Sequence, residues 1–202
     1  LGAVLWQKTY TIASFTECEV ESIRRTGDGG YILTGWQYDD SSTYAFLMKS
    51  GEDGAGEWEK AYPLTGASEG IETLDGGFAF VGDWSSDMLT AKLRPNGDLE
   101  WAKGFGGIFY EEGHSIVQTA IGDYAIAGQT ASFGAGDSDF CVVRIPSDGA
   151  LGTCRFCKDA ALEVRTPEVS PADASLTVRD LTLAPQIVEP AVTDTNGLSQ
   201  TF

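Results

Sequence analysis

Apolar and polar residues alternate over short runs, as in YAFLMKS at 44–50, DMLTAKL at 87–93 and DFCVVRI at 139–145. Such runs, bounded by Gly, Asp, Asn and Ser, predict short β-strands, and helical spacing is almost absent. The runs recur. Residues 28–35 read DGGYILTG, 75–82 read DGGFAFVG and 122–128 read GDYAIAG, so that Gly35, Gly82 and Gly128 close three copies of one phrase. ESIRRT (21–26), EGIETL (69–74) and EGHSIVQT (112–119) precede the phrases, and EWEKAY (57–62) and LEWAKGF (99–105) follow the first two alternating runs. Four strands per unit is the simplest reading, with units at about 14–62, 63–105 and 106–154.

Asp-Gly-Gly accepts positive φ at little cost and reverses the chain between neighbouring strands, so each phrase predicts a hairpin. The turns at 51–54, 95–97 and 147–149 serve the third and fourth strands in the same way. Four strands repeated every 45–50 residues or so is the signature of propeller blades, which bury their faces only against one another. The expected fold is all-β and β-propeller-like, with three four-stranded blades in a body at 1–154 and a strand-rich C-terminal tail at 155–202. The DGGY phrase, the D-x-x-x-x-K/R strand, the Asn-Gly turn and W-x-K together resemble the tandem propeller-like repeats of secreted and cell-surface proteins of bacteria and archaea. GQTASFGAGDSDFCVVRIPSDG at 128–149 is the closest stretch. The resemblance covers roughly residues 6–154; it implies a blade architecture and a surface role but no particular reaction.

Closed propellers usually have about 4–8 blades, and three units fall short. LWQKTY at 5–10 matches the last strand of a blade without the three that should precede it. The tail is the obvious supplier of partners. Its alternating runs at 161–166, 175–184 and 186–193 are broken by Pro167, Pro171, Pro185 and Pro190, which suits edge strands. Leu176, Val178, Leu181, Leu183, Ile187, Val188 and Val192 are the expected interface residues. Ordering such a tail costs roughly 1–2 kcal/mol per residue, which ladder bonds and burial must offset. Two arrangements do so: the tail completes a sheet of its own chain, or it adds a strand to a neighbouring copy. The second, repeated head to tail, builds a homo-oligomer or homopolymer.

Charge narrows the partners. Thirteen basic against thirty acidic side chains leave a formal charge of −17, which repels nucleic acid and anionic membranes. No apolar run approaches the roughly 18 residues of a membrane span. Leu1 is not an initiator methionine, so processing and export to the cell surface or medium are expected.

Candidate chemistry is sparse, and neither cofactor nor metal is expected. Cys18, Cys141, Cys154 and Cys157 allow three disulfide pairings. A symmetric turn at 146–149 would set Cys141 opposite Cys154 and leave Cys18 for Cys157; the competing local pair is Cys154 with Cys157. A single C-x-x-C and one His argue against zinc. His114, beside Glu111 and Glu112, aligns with Ile71 and with Ser22 or Ile23, and reads as a tolerated strand position rather than an acid-base catalyst. Asp39-Asp40, Glu52-Asp53 and Asp137-Ser138-Asp139 lack spaced calcium ligands and read as turn carboxylates. Trp36 and Trp84 suit either a sugar contact or packing between blades, whereas Trp6, Trp58 and Trp101 repeat at the final strand and suit packing. SGEDGAGEW at 50–58 departs from the spacing of sialidase Asp-box hairpins. The sequence thus predicts a non-enzymatic extracellular subunit that polymerises by C-terminal strand donation. The alternative is a monomeric carbohydrate- or protein-binding propeller, and a glycan-active enzyme ranks third.

Overall fold

The computed structural model describes residues 5–12, 14–152, 154, 157–160 and 169–173. Among them every regular element is a strand and every pairing is antiparallel. Strand β1 (Lys8–Ile12) precedes sheet 1, a meander of β2 (Glu17–Arg25), β3 (Tyr31–Tyr38), β4 (Thr43–Ser50) and β5 (Gly56–Tyr62). Sheet 2 repeats it with β6 (Gly66–Glu72), β7 (Phe78–Trp84), β8 (Asp87–Leu93) and β9 (Leu99–Phe105). Sheet 3 holds β10 (Glu111–Gln118), β11 (Tyr124–Thr130) and β12 (Asp139–Ile145). Two short strands follow: β13 (Cys157–Asp159) extends sheet 2 beside β9, and β14 (Val169–Asp173) pairs with β1.

The sheets bury faces against each other in chain order. Ile32, Ala45, Leu47 and Tyr62 of sheet 1 meet Phe78, Phe80, Leu89 and Leu93 of sheet 2 in one core. Ala79, Val81 and Met88 on the opposite face of sheet 2 meet Ile116, Tyr124, Ile126 and Ile145 of sheet 3 in a second. A smaller cluster, Leu33, Phe46 and Met48 with Tyr10 and Tyr31, lies on the other face of sheet 1.

Each DGG hairpin is locked in the same way. Asp28 accepts from Thr26 Oγ1 at 2.5 Å and from the Gly30 N–H at 3.0 Å, and its other oxygen meets the Lys49 ammonium at 2.8 Å. Asp75 repeats this with Thr73, Gly77 and Lys92, the ion pair at 2.9 Å. Burial works to raise the Asp75 carboxyl, but the hydrogen bonds from Thr73, Lys92 and Gly77 hold it at about 2. In the third unit Ile121 stands where the aspartate should be, and Asp123 pairs instead with Arg144 at 2.8 Å. That substitution explains why the third phrase reads as a shortened version of the other two.

A second device fastens successive units. Trp58 packs edge-on against Phe78 with ring centroids 5.3 Å apart, and Trp101 against Tyr124 at 5.7 Å. Trp6 makes the same contact with Tyr31 at 6.0 Å, so the isolated N-terminal segment occupies the place of a preceding unit's last strand. Each Trp also crosses a turn glycine of the next unit: a Cβ on Gly54, Gly97 or Gly149 would lie 2.9, 2.9 or 2.8 Å from Trp6, Trp58 or Trp101. All three glycines have positive φ, +79° at Gly97. Gly97→Ala therefore combines left-handed strain with a clash against Trp58, and urea denaturation should show a loss of about 2 kcal/mol. An unchanged midpoint would mean that the Trp clasp does not hold the sheets.

Among the described residues the third unit shows three of the expected four strands. After Pro146 the chain turns at Gly149 and again at Gly152 (φ +54°), and residues 150–152 make no ladder with β12. The sequence has Thr153 where the clasp tryptophan recurs in the other units, so the anchor that holds β5 and β9 in place is missing. The Cys154 N–H bonds Leu151 O at 3.2 Å, and a disulfide joins Cys154 to Cys157 across a Cα separation of 5.4 Å. β13 then adds to β9 with Cys157 opposite Phe105. The cross-strand pairing of Cys141 with Cys154 is thereby corrected, because Cys154 bonds Cys157 and no described residue beside it pairs with β12. Cys18 and Cys141 are free thiols, which removes the Cys18–Cys157 bridge as well.

Candidate functional site

Sheet 3 differs from its neighbours by what covers it. Ala45 and Leu47 of β4 and Met88 and Thr90 of β8 lie at most 2% exposed beneath the next sheet. The residues at the same places in β12 are Phe140 and Val142, 91% and 67% exposed, with Val117 of β10 on the same face at 56%. The outer edge of β12, which β5 and β9 occupy in sheets 1 and 2, has no ladder partner among the described residues. An apolar face next to an unpaired edge is a template for strand addition.

The other end of the stack is covered. β14 pairs with β1 in register from Lys8 opposite Asp173 to Ile12 opposite Val169, and it packs against β5 of sheet 1. This part of the tail therefore pairs with a strand of its own chain. The seven expected interface residues, Leu176, Val178, Leu181, Leu183, Ile187, Val188 and Val192, lie outside the described residues, as do Pro185 and Pro190.

Beneath that end sits an unusual polar pair. Gln37 on β3 and Glu59 on β5 are 0% and 2% exposed, and among the described residues neither side chain completes a hydrogen bond. Burial pushes the Glu59 carboxyl up to about 7, with only the nearby Gln37 amide working against the rise. The free Cys18 on β2, aligned with Gln37 in the sheet register, is raised by partial desolvation and by Glu59.

A cleft opens where the first strands of the three sheets meet. The registers of β2 with β3, β6 with β7 and β10 with β11 each shift by one residue, leaving Glu21, Ser68 and His114 as bulges. Bulges re-aim side chains, and these three line one cavity of about 640 Å³ together with Trp36, Asp83, Tyr110 and Glu112. Asp83 Oδ1 accepts from the Gly113 N–H at 3.1 Å, and Glu112 Oε2 accepts from Gln129 Nε2 at 2.6 Å. Burial pushes Asp83 up to about 6; the Gly113 N–H opposes the rise, the Glu112 charge adds to it and His114 opposes it. His114 Nε2 stands 3.9 Å from Glu112. The bulge register makes Glu21 and Ser68 the counterparts of His114, correcting the alignment with Ile71 and with Ser22 or Ile23.

One position beyond each bulge lies a second repeated site, occupied by Ser22, Glu69 and Ser115. Glu69 is 5% exposed and reaches in both directions. It takes an ion pair from Arg24 of sheet 1, and its other oxygen accepts from Ser115 Oγ at 2.6 Å and from the Ile116 N–H at 2.9 Å in sheet 3.

Trp36 belongs to the cleft, whereas Trp84 packs against the core between sheets 1 and 2. Among the described residues no group of three or more His, Cys, Asp or Glu side chains is placed to hold a metal ion, and Asp39, Asp53 and Asp139 instead cap their own turns. Sequence reasoning missed Asp83, Tyr110 and Glu21, although one signal was available: Trp36, Asp83 and Gln129 each follow the closing glycine of their unit. Among the described residues no helix is long and apolar enough to cross a membrane, and the disulfide is compatible with an oxidising, extracellular setting. No family model matches the chain, and no curated protein matches it.

Proposed function

We propose that the protein is an extracellular assembly subunit that joins copies of itself by strand addition, the segment beyond Asp173 docking on β12 and the outer face of sheet 3 of the next copy. The observation that carries this reading is the exposure of Phe140 and Val142 at places that are closed in the two preceding sheets. Donor and acceptor surfaces differ, because the tail is anchored through β14 beside β1 and β5 while the open edge belongs to sheet 3. A heterologous contact of this kind propagates head to tail unless its rotation closes a ring. Burying the apolar face and pairing the edge together supply the driving force.

A second reading is favoured by the β1–β14 ladder: the tail completes a composite fourth sheet in its own chain, giving a self-closed propeller that acts as a binding module. Sedimentation of the full chain over a hundredfold range of concentration separates the two. Assembly predicts mass that grows with concentration, and a folded monomer for Val142→Asp and for a chain ending at residue 173. A wild-type monomer at every concentration would sink the assembly reading and leave the self-closed one.

A further inference from the structure

The cleft at the bulges borders the face proposed for assembly, since Glu112 and Gln129 share a register row with Phe140, and its chemistry is specific. Its charged walls are Glu21, Asp83 and Glu112, its aromatic walls are Trp36 and Tyr110, and neither Lys nor Arg lines it. In a chain of charge −17 such a cavity excludes phosphate, sulfate and carboxylate ligands. The acidic groups are also not gathered closely enough to ligate a metal ion among the described residues. Carboxylates spread around a cavity that also has aromatic faces suit a larger, weakly hydrated positive group. Such a group is attracted by the ring quadrupoles and by the anions together.

We propose that this cleft is a binding site for an organic cation, a guanidinium or primary ammonium group held between Trp36 and Tyr110 and facing Asp83, Glu112 and Glu21. The site is built before the ligand arrives. Gly113 and Gln129 each fix one oxygen of Asp83 and Glu112, so little side-chain freedom remains to be lost on binding. The three bulges that frame it recur at one repeat position, yet they present a carboxylate, a hydroxyl and an imidazole, so the cleft is asymmetric around its rim. The same chemistry is offered by a free diamine or guanidine and by a Lys or Arg side chain of a polypeptide.

Titration of the full chain with agmatine, followed by calorimetry and by tryptophan fluorescence, tests the site. Saturable binding is expected, with the fluorescence change lost in Trp36→Phe. Asp83→Asn and Glu112→Gln should each weaken binding by about tenfold or more. Near-ultraviolet circular dichroism should show both variants folded, since the amide oxygen that Asp83→Asn introduces can still accept from the Gly113 N–H. A blocked Gly-Arg-Gly peptide identifies the source: tighter binding than agmatine indicates a polypeptide side chain, weaker binding a free amine, and either supports the cation chemistry. Absence of saturable agmatine binding would overturn the proposal, as would binding unaffected in the double variant. Equal or tighter binding of methyl glucoside or calcium, lost in the same variants, would also overturn it.

Discussion

Glu59→Gln should stabilise the protein by about 3 kcal/mol at pH 8 and hardly at all at pH 4. In the folded chain the Glu59 carboxyl is raised from its ordinary 4.5 to about 7, mainly by burial. Between those values the unfolded chain releases a proton that the folded chain keeps. Stability is therefore fully present below about pH 4.5 and is lost as pH rises through about 7. Glutamine has the same shape and no proton to lose, so the variant should lack this slope. Urea midpoints measured from pH 4 to pH 8 give the answer, and an identical slope in both proteins would show that folding does not raise the Glu59 carboxyl. Asp75 acts in the opposite sense: its carboxyl is held at about 2, so its contribution is present above the ordinary aspartate range and lost as pH falls toward 2. The two trends together place maximum stability on the acidic side of neutrality.

Glu69→Ala is the substitution expected to do most damage, about 3 kcal/mol or more. It strips the buried Ile116 N–H of its acceptor, removes the partner of Ser115 Oγ and releases Arg24, so a single side chain uncouples sheet 2 from both neighbours. Arg24 remains half in water, which limits its share of the loss. For a chain of this size the melting temperature should fall by roughly 6–12 °C. Glu69→Gln keeps an acceptor for Ile116 and should lose less than half as much. Hydrogen exchange at Ile116 reads the contact directly. Protection retained in Glu69→Ala would mean that the amide has another acceptor.

The all-β character and the three hairpins were legible because Asp28-Gly29-Gly30 and Asp75-Gly76-Gly77 combine local turn chemistry with short apolar runs that recur after it. The role of Trp58 and Trp101 was also readable from their recurrence, and Trp6 falls into the same series. The absence of a fourth strand from the third unit among the described residues was less visible. Thr153 in place of a tryptophan marks it, but the consequence depends on β9 having an edge open to Cys157–Asp159. For the same reason four cysteines on one line of text could not choose their partners: Cys141 and Cys154 flank a plausible hairpin turn, and only the second bend at Gly152 separates them.

The cleft was legible in no single segment. Glu21, Asp83 and Glu112 are ordinary acidic residues in an acidic chain, and each acquires meaning when the bulges of three sheets turn toward one space. The same holds for Glu59, which within EWEK looks like one more solvated residue, yet is buried while Glu57 stays exposed.

What the amino-acid order determined by itself is the local grammar: which residues turn, which alternate, and where the ion lock and the aromatic clasp recur. These depend on contacts within one unit or across a repeated junction, so identical words imply identical geometry. The tertiary structure alone decided which faces are closed, which carboxyls are driven from water and which edge has no partner among the described residues. Those outcomes arise from how many sheets stack and what lies at the two ends, and no repeated phrase encodes its own neighbour.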